Sequence, residues 1–147
     1  MVQALKKIDI RSNIVYVGVV VVFILFALML SGKGFTSTVN LLNILRQSSI
    51  IIVMAMAMTF VIGAAEIDLS VGSIAGLASV ATAMAIARFG IVAGVLAGLL
   101  VGVLCGVING LLVAWAKIPS FLTTLAMMGI TVGVAQWITD SSPQPIL

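Results

Sequence analysis

Five apolar stretches, separated by short polar breaks, run the length of this 147-residue chain. A helix that crosses a bilayer needs about 20 mostly apolar residues. The pattern predicts transmembrane helices at about 14–30, 41–65, 71–87, 91–116 and 121–138. Residues 1–13 are predicted to form a cytoplasmic segment, because they contain Lys6, Lys7 and Arg11 and basic residues favour the cytoplasmic side.

Composition supports an all-α integral membrane protein that lies in the lipid bilayer as a multi-pass bundle. The chain is 63% hydrophobic and 7% charged, whereas soluble domains are about 25% charged. Its net charge of +3 comes from scattered Lys and Arg, so no nucleic-acid binding is expected. With no histidine and a single cysteine, Cys105, the chain is expected to have no catalytic residues, metal site or cofactor.

A glycine ladder marks the fourth apolar stretch, where a glycine recurs at every fourth position. Its members are Gly94, Gly98, Gly102, Gly106 and Gly110. Small residues four apart allow the backbones of membrane helices to approach closely. A four-residue step also drifts about 40° per repeat around a helix, which suits a crossing partner. The ladder is interpreted as helix packing, either static or part of a moving interface.

The polar break "AAEIDLSVGS" holds two of the four acidic residues of the chain, Glu66 and Asp68. Asp68 and Ser70 are expected to cap the helix that follows, and Gly72 is expected to allow close packing in its first turn. Glu66 has no such structural role. A carboxylate at membrane depth is costly, so Glu66 is a functional candidate.

The apolar runs on either side of this break are short. Residues 50–65 and 71–87 would span about 24 and 26 Å, less than a bilayer core. Two short segments meeting at a polar break are typical of a recessed transporter site. The alternative is an ordinary interfacial loop, with the mixed start of helix 2 supplying the missing length. Helix 3 is rich in small residues and is expected to lie among other helices.

The motif and its flanks resemble one known family. "GAAEIDLSVGSIAGLASV" is similar to the signature of permease subunits of ribose/xylose/galactose-type ABC importers, and "LLNILRQSSIIIVMAMAMTFVI" and "GVINGLLVAWAKIPSFLTTLAMMGITVGVA" resemble the same subunits in the same order. The resemblance implies a bacterial inner-membrane importer of a monosaccharide. It also implies three partners: cytoplasmic ATP-binding cassette subunits, a second permease subunit and a periplasmic sugar-binding protein.

Such permeases have about ten helices in inverted repeats, so this chain resembles the first half, either as a fragment or as a short form. The resemblance places Glu66, Asp68, Ser70, Gly72 and Ser73 at the pathway or its gating helices. A neutral sugar needs hydrogen bonds rather than ion pairs. The candidates for these hydrogen bonds are Asn109, Thr123, Thr124 and Gln136. ATP hydrolysis is expected in the partners, so the chain itself is not expected to be an enzyme.

Three alternatives remain at this point. The chain is a non-transporting membrane scaffold that uses the ladder as its interface, a passive channel, or a permease for another small polar solute such as a branched-chain amino acid.

Overall fold

The computed structural model describes residues 10–143, and most of the predicted cytoplasmic segment lies outside this range. Five α-helices occur within it: α1 (Ile10–Met29), α2 (Thr38–Gly63), α3 (Val71–Phe89), α4 (Ile91–Ala114) and α5 (Ser120–Ile138). A short 3-10 helix, Ser31–Lys33, follows α1. By length and apolar composition, α2 to α5 are each able to cross a membrane. The chain is therefore an all-helical membrane protein, as its sequence predicts.

The second helix begins earlier than the apolar pattern indicates, because polar side chains organise its start. The Ser37 Oγ accepts a hydrogen bond from the Asn40 amide at 3.3 Å, which satisfies one of the free amides of a first helical turn. The Asn40 side chain donates to the Phe35 carbonyl at 2.7 Å. With 26 residues, α2 is about 39 Å long. The partly polar first turns of α2 therefore supply the length that its apolar run lacks. The length of this helix no longer supports a transporter site recessed into the membrane at the polar break.

The chain divides into two compact units, residues 1–52 and 53–147, with the boundary inside α2. In the first unit the segment after α1 folds back on that helix. The Phe35 ring lies 5.6 Å from the Phe23 ring and 6.0 Å from the Phe26 ring, both tilted. Tilted aromatic pairs at this distance are favourable, and they fix the connection that leads into α2.

In the second unit, α3 packs against both α4 and α5. Helices α3 and α4 are antiparallel, since Gly98 lies beside Thr82 while Asn109 reaches Ser70. Helices α3 and α5 are parallel, since bonds that occur later along one helix of the pair occur later along the other: Leu69, just before α3, bonds to Thr124, and Ser73 lies beside Thr131. This confirms that the helix rich in small residues lies between neighbouring helices.

The glycine ladder of α4 divides into two parts. A Cβ at Gly94 or Gly98 would clash with Ile86 or Thr82 of α3, so these two glycines permit the close α3–α4 contact. At Gly102, Gly106 and Gly110, a Cβ would meet no described atom within 4 Å apart from the backbone of its own helix. Four steps of about 40° turn Gly110 roughly 160° away from Gly94. The winding of the ladder therefore carries its later members off the α3 interface.

The interior of the second unit is unusually polar. Among the described residues, the buried hydrophobic side chains are Leu77, Ala83, Cys105 and Met127, and the buried polar ones are Ser70, Asn109, Thr123, Thr124 and Thr131. Large apolar side chains cover the outside instead, with Leu99 and Leu100 about 60% exposed. In lipid there is little hydrophobic force between helices, so polar side chains that bond across helices help to hold the bundle together.

Candidate functional site

The segment between α2 and α3 starts with a tight helix ending. The Glu66 amide donates to the Val61 carbonyl at 3.1 Å, and the Ala65 amide donates to the Ile62 carbonyl at 2.9 Å. This pair of bonds is a Schellman motif. Ala65 occupies the left-handed position with φ 58°, where glycine is the usual residue. The turn redirects the chain so that residues 66–70 cross the starts of α3 and α5.

Asp68 organises the start of α3 through Ser70. Its Oδ1 accepts two hydrogen bonds from Ser70, from the amide at 2.7 Å and from the hydroxyl at 2.6 Å. Ser70 is the N-cap residue by position, yet its side chain makes no capping bond to the helix. The expectation that Ser70 caps α3 is therefore wrong, because its hydroxyl bonds to Asp68 and to α4 instead. The Asp68 side chain accepts a hydrogen bond from one backbone amide at the helix start, that of Ser70.

Asn109 of α4 completes this cluster. Its side-chain amide donates to the Ser70 Oγ at 3.0 Å. Ser70 is fully buried and Asn109 is 7% exposed. The Asn109 Oδ1 is also buried and has no partner among the described residues. We refer to Asp68, Ser70 and Asn109 as the polar triad, which links the motif to α4 through side chains alone.

Two residues of α5 hold the backbone of the motif. The Ile67 amide donates to the Ser120 Oγ at 3.1 Å, and the Leu69 amide donates to the Thr124 Oγ1 at 3.1 Å. The Thr124 hydroxyl donates to the Ser120 carbonyl at 2.8 Å. An extended segment in a membrane needs partners for its backbone amides, and α5 supplies them here.

One further link joins α3 to α5. The Thr131 hydroxyl lies 2.8 Å from the Ser73 Oγ and also reaches the Met127 carbonyl at 2.9 Å. Ser120 and Thr131 were not among the predicted site residues. Their spacing from Thr124, four residues before and seven after, places all three on one face of α5, and that spacing was the available signal.

The other predicted site residues lie in different surroundings. Glu66 is partly buried and lines a cavity near the end of α4. Thr123 is 4% exposed, and its hydroxyl has no partner among the described residues. Gln136 is exposed. Gly72 is exposed and no described atom lies within 4 Å of its Cβ position, so the expected close packing at Gly72 is wrong.

The polar side chains around the motif are suited to hydrogen bonding rather than to metal binding. Within residues 10–143, no group of three His, Cys, Asp or Glu side chains lies close enough to hold a metal ion. Hydroxyl and amide groups predominate, and two of their buried atoms are unpaired. This chemistry suits the binding of neutral polar groups and the fastening of helices to one another.

Comparison with known proteins identifies relatives over most of the chain. The chain is 36% identical over 143 residues to the xylose transport system permease protein of Haemophilus influenzae, an alignment that covers 93% of this chain and 38% of that protein. It is 36% identical over 113 residues to the ribose import permease protein of the same organism, covering 76% of this chain and 35% of that one.

A third relative is the autoinducer 2 import system permease protein of Yersinia pseudotuberculosis. It is 36% identical over 132 residues, with 88% of this chain and 38% of that protein covered. The chain thus spans less than two fifths of the length of these relatives. No solved structure matches it.

A family model described as "Branched-chain amino acid transport system / permease component" matches residues 40–143. The match takes in the polar triad, the glycine ladder and the α5 residues that hold the motif. It covers well over half of the chain, and this chain belongs to that permease family.

Proposed function

We propose that this chain forms part of the translocation pathway of an ATP-driven, binding-protein-dependent importer of a monosaccharide, a pentose or a hexose. The support is its similarity to permeases named for xylose, ribose and autoinducer 2 over most of its length. The chain is the first half of an inverted-repeat permease of about ten helices. It lies in a bacterial inner membrane with its N-terminus in the cytoplasm.

The proposed partners supply energy and substrate. Cytoplasmic ATP-binding cassette subunits hydrolyse ATP, a periplasmic binding protein delivers the sugar, and a second permease subunit completes the pathway. Conformational change in the ATPases tilts the permease helices and opens the pathway inward. The chain itself is a transport subunit and catalyses no reaction.

The proposed role of the motif is supported by its hydrogen bonds to two helices, α4 and α5. The polar triad joins residues 68–70 to α4 through the Asn109–Ser70 bond of 3.0 Å, and Thr124 joins the same segment to α5. The starts of α3 and α5 therefore move together with the end of α4. In the proposed mechanism the motif couples these three helices, so that they tilt as one body when the pathway opens.

Two of the four candidate sugar-binding residues retain unused hydrogen-bonding capacity. The Asn109 Oδ1 and the Thr123 Oγ1 are buried and unpaired within the described part of the chain. An unpaired buried polar atom is costly, and a sugar hydroxyl that reaches these atoms when the helices part would remove that cost. Thr124 is occupied by the motif backbone. Gln136 is exposed on α5 and remains a candidate.

Asp68→Asn tests the motif. Asparagine keeps an oxygen that accepts both Ser70 bonds, so the protein should fold and insert normally, but the negative charge is lost. We expect uptake of labelled xylose or ribose by the complete importer to fall about tenfold, since hydrogen bonds to charged groups are worth more than neutral ones.

The matched control is Asp140→Asn, at an exposed carboxylate beyond the end of α5. It should transport as the unmodified protein does. Unchanged uptake in Asp68→Asn, at equal membrane levels, would remove the proposed role of the charge. Absence of sugar uptake and of any associated ATPase in the unmodified protein would overturn the function itself.

The family description names a second substrate class, branched-chain amino acids. The same uptake assay with labelled leucine separates the two. Uptake of leucine without uptake of any monosaccharide would replace the sugar proposal.

A further inference from the structure

A cavity of about 530 Å³ lies at the end of the second unit where α4 stops and α5 begins. Its lining comes from four places: the last turns of α4, the connection to α5, the first residue of α5 and the motif. The residues are Gly110, Val113, Ala114, Lys117, Ile118, Pro119, Ser120 and Glu66. Most of this wall is apolar, and the two charged side chains have opposite signs.

These two charges are not paired with each other. Among residues 10–143, neither the Glu66 carboxylate nor the Lys117 ammonium has an oppositely charged group within the 4.0 Å of an ion pair. Glu66 directly follows a left-handed residue, Ala65 with φ 58°, and Lys117 is itself left-handed with φ 57°. Left-handed backbone is unfavourable at a non-glycine residue, so both charges lie at tightly turned positions of the chain.

The position of the cavity is at a membrane face. Three candidate membrane spans, α2, α4 and α5, end or begin within a few residues of its lining. Trp115, next to this lining, is 86% exposed, and exposed tryptophan is enriched at the level of lipid head groups. A ligand at this site therefore meets both the head-group layer and the upper acyl region.

We propose that this cavity binds the head group of a zwitterionic phospholipid, with the ammonium of the lipid at Glu66 and its phosphate at Lys117. A zwitterion neutralises both side chains at once, which a neutral sugar cannot do. The apolar wall of Val113, Ala114 and Ile118 faces the start of the acyl chains. A phospholipid is favoured over a soluble zwitterion because the cavity lies among the ends of membrane spans. The proposal does not rest on the transported substrate.

The test is lipid competition on the full chain, purified in detergent and observed by native mass spectrometry. Phosphatidylethanolamine and phosphatidylglycerol, with identical acyl chains, are added to the unmodified protein in equal amounts. Phosphatidylethanolamine is expected to be retained preferentially, because only it carries the ammonium. Equal retention of the two lipids would overturn the proposal, and this arm requires no variant.

Substitutions then assign the charges. Glu66→Gln should lower phosphatidylethanolamine retention about fivefold, the effect of losing one modest ion pair, with phosphatidylglycerol retention unchanged. Lys117→Gln should lower the retention of both lipids. Arg88→Gln, at an exposed basic residue in the last turn of α3, is the matched control and should change neither. A Glu66→Gln protein that retains helical content and full lipid preference would contradict the assignment.

Soluble zwitterions form the last arm. Free leucine and phosphoethanolamine are added to the lipid-bound protein at millimolar concentration. Lipid adducts that persist support a phospholipid site. If either compound displaces the lipid from the unmodified protein, at concentrations that do not displace lipid from the Glu66→Gln variant, the cavity would be assigned to a soluble ligand instead.

Discussion

Ser70 joins three parts of the second unit through one small side chain and its backbone. Its hydroxyl donates to Asp68 and accepts from Asn109, and its carbonyl accepts from the Ser73 hydroxyl at 2.8 Å. Because Ser70 is fully buried, water cannot replace any of these partners. Its contribution to stability is therefore expected to exceed that of a typical serine in a membrane helix.

Ser70→Ala should lower the free energy of unfolding by about 1–3 kcal/mol, because it leaves the Asn109 amide buried without an acceptor. The measurement is reversible unfolding of the chain in mixed SDS micelles. Ser79→Ala on the same helix is the matched control, since the exposed Ser79 hydroxyl bonds only to the Gly76 carbonyl. It should cost less than about 0.5 kcal/mol. Equal effects of the two substitutions would contradict the importance of the polar triad.

At this scale the sequence identified residues but not their partners. Asp68, Asn109 and Thr124 stand out because polar groups are rare in apolar stretches. Asp68 pairs with Ser70 two residues further on, but the other pairings join distant positions, 39 residues apart for Asn109 with Ser70 and 55 for Leu69 with Thr124. Local pattern carries no information about such contacts. The expected capping by Ser70 was wrong for the same reason, since the α4 partner that engages Ser70 was not visible in the motif.

At the scale of the helices, the glycine ladder of α4 shows that one sequence pattern can lie partly in a helix interface and partly outside it. Its glycines share one spacing, but only Gly94 and Gly98 meet α3 closely. The ladder predicted close helix packing, which the structure shows at those two of its five glycines. It could not indicate which glycines would be used, because that depends on where α3 crosses α4. The early start of α2 has a similar cause, since Ser37 and Asn40 stabilise a polar turn that an apolar count leaves out.

Gly94→Ala and Gly106→Ala form a matched pair on α4. A Cβ at position 94 would meet the Ile86 side chain and lie 3.0 Å from the Thr82 carbonyl, so this substitution should destabilise the chain by about 1–3 kcal/mol. At position 106 no described atom lies within 4 Å. Alanine favours helix by up to about 1 kcal/mol over glycine, so stability should be unchanged or slightly higher.

Unfolding of this chain in mixed micelles, followed by circular dichroism, measures both variants. Equal loss of stability would contradict the division of the ladder into a packed part and an open part.

At the scale of the whole molecule, the order of the membrane spans predicts which residues lie on the same side of the membrane. Residues 66 and 117 line one cavity and therefore lie at one membrane face, whereas Arg88 lies at the opposite end of α3. The basic residues predict which face is cytoplasmic: four of the seven fall on the predicted cytoplasmic side and three on the other. Because this difference is small, the orientation stays a prediction.

Both the topology and the orientation can be tested with single cysteines at positions 66, 88 and 117 in a Cys105→Ala background. A membrane-impermeant maleimide added to spheroplasts should label position 88 at once, and positions 66 and 117 only after the membrane is permeabilised. Labelling of 88 and 117 from the same side would contradict the topology. Labelling of all three in the reverse order would keep the topology and invert the orientation.

The parallel course of α3 and α5 has an electrostatic consequence. Each helix start carries a partial charge of roughly +0.5 from its aligned peptide dipoles. The bonds from Ile67 to Ser120 and from Leu69 to Thr124 hold the two starts side by side, so their fields add rather than cancel. Two of the four carboxylates in the chain, Glu66 and Asp68, lie next to this doubled positive potential. The fold thus lowers the cost of placing these two carboxylates beside the adjoining starts of α3 and α5.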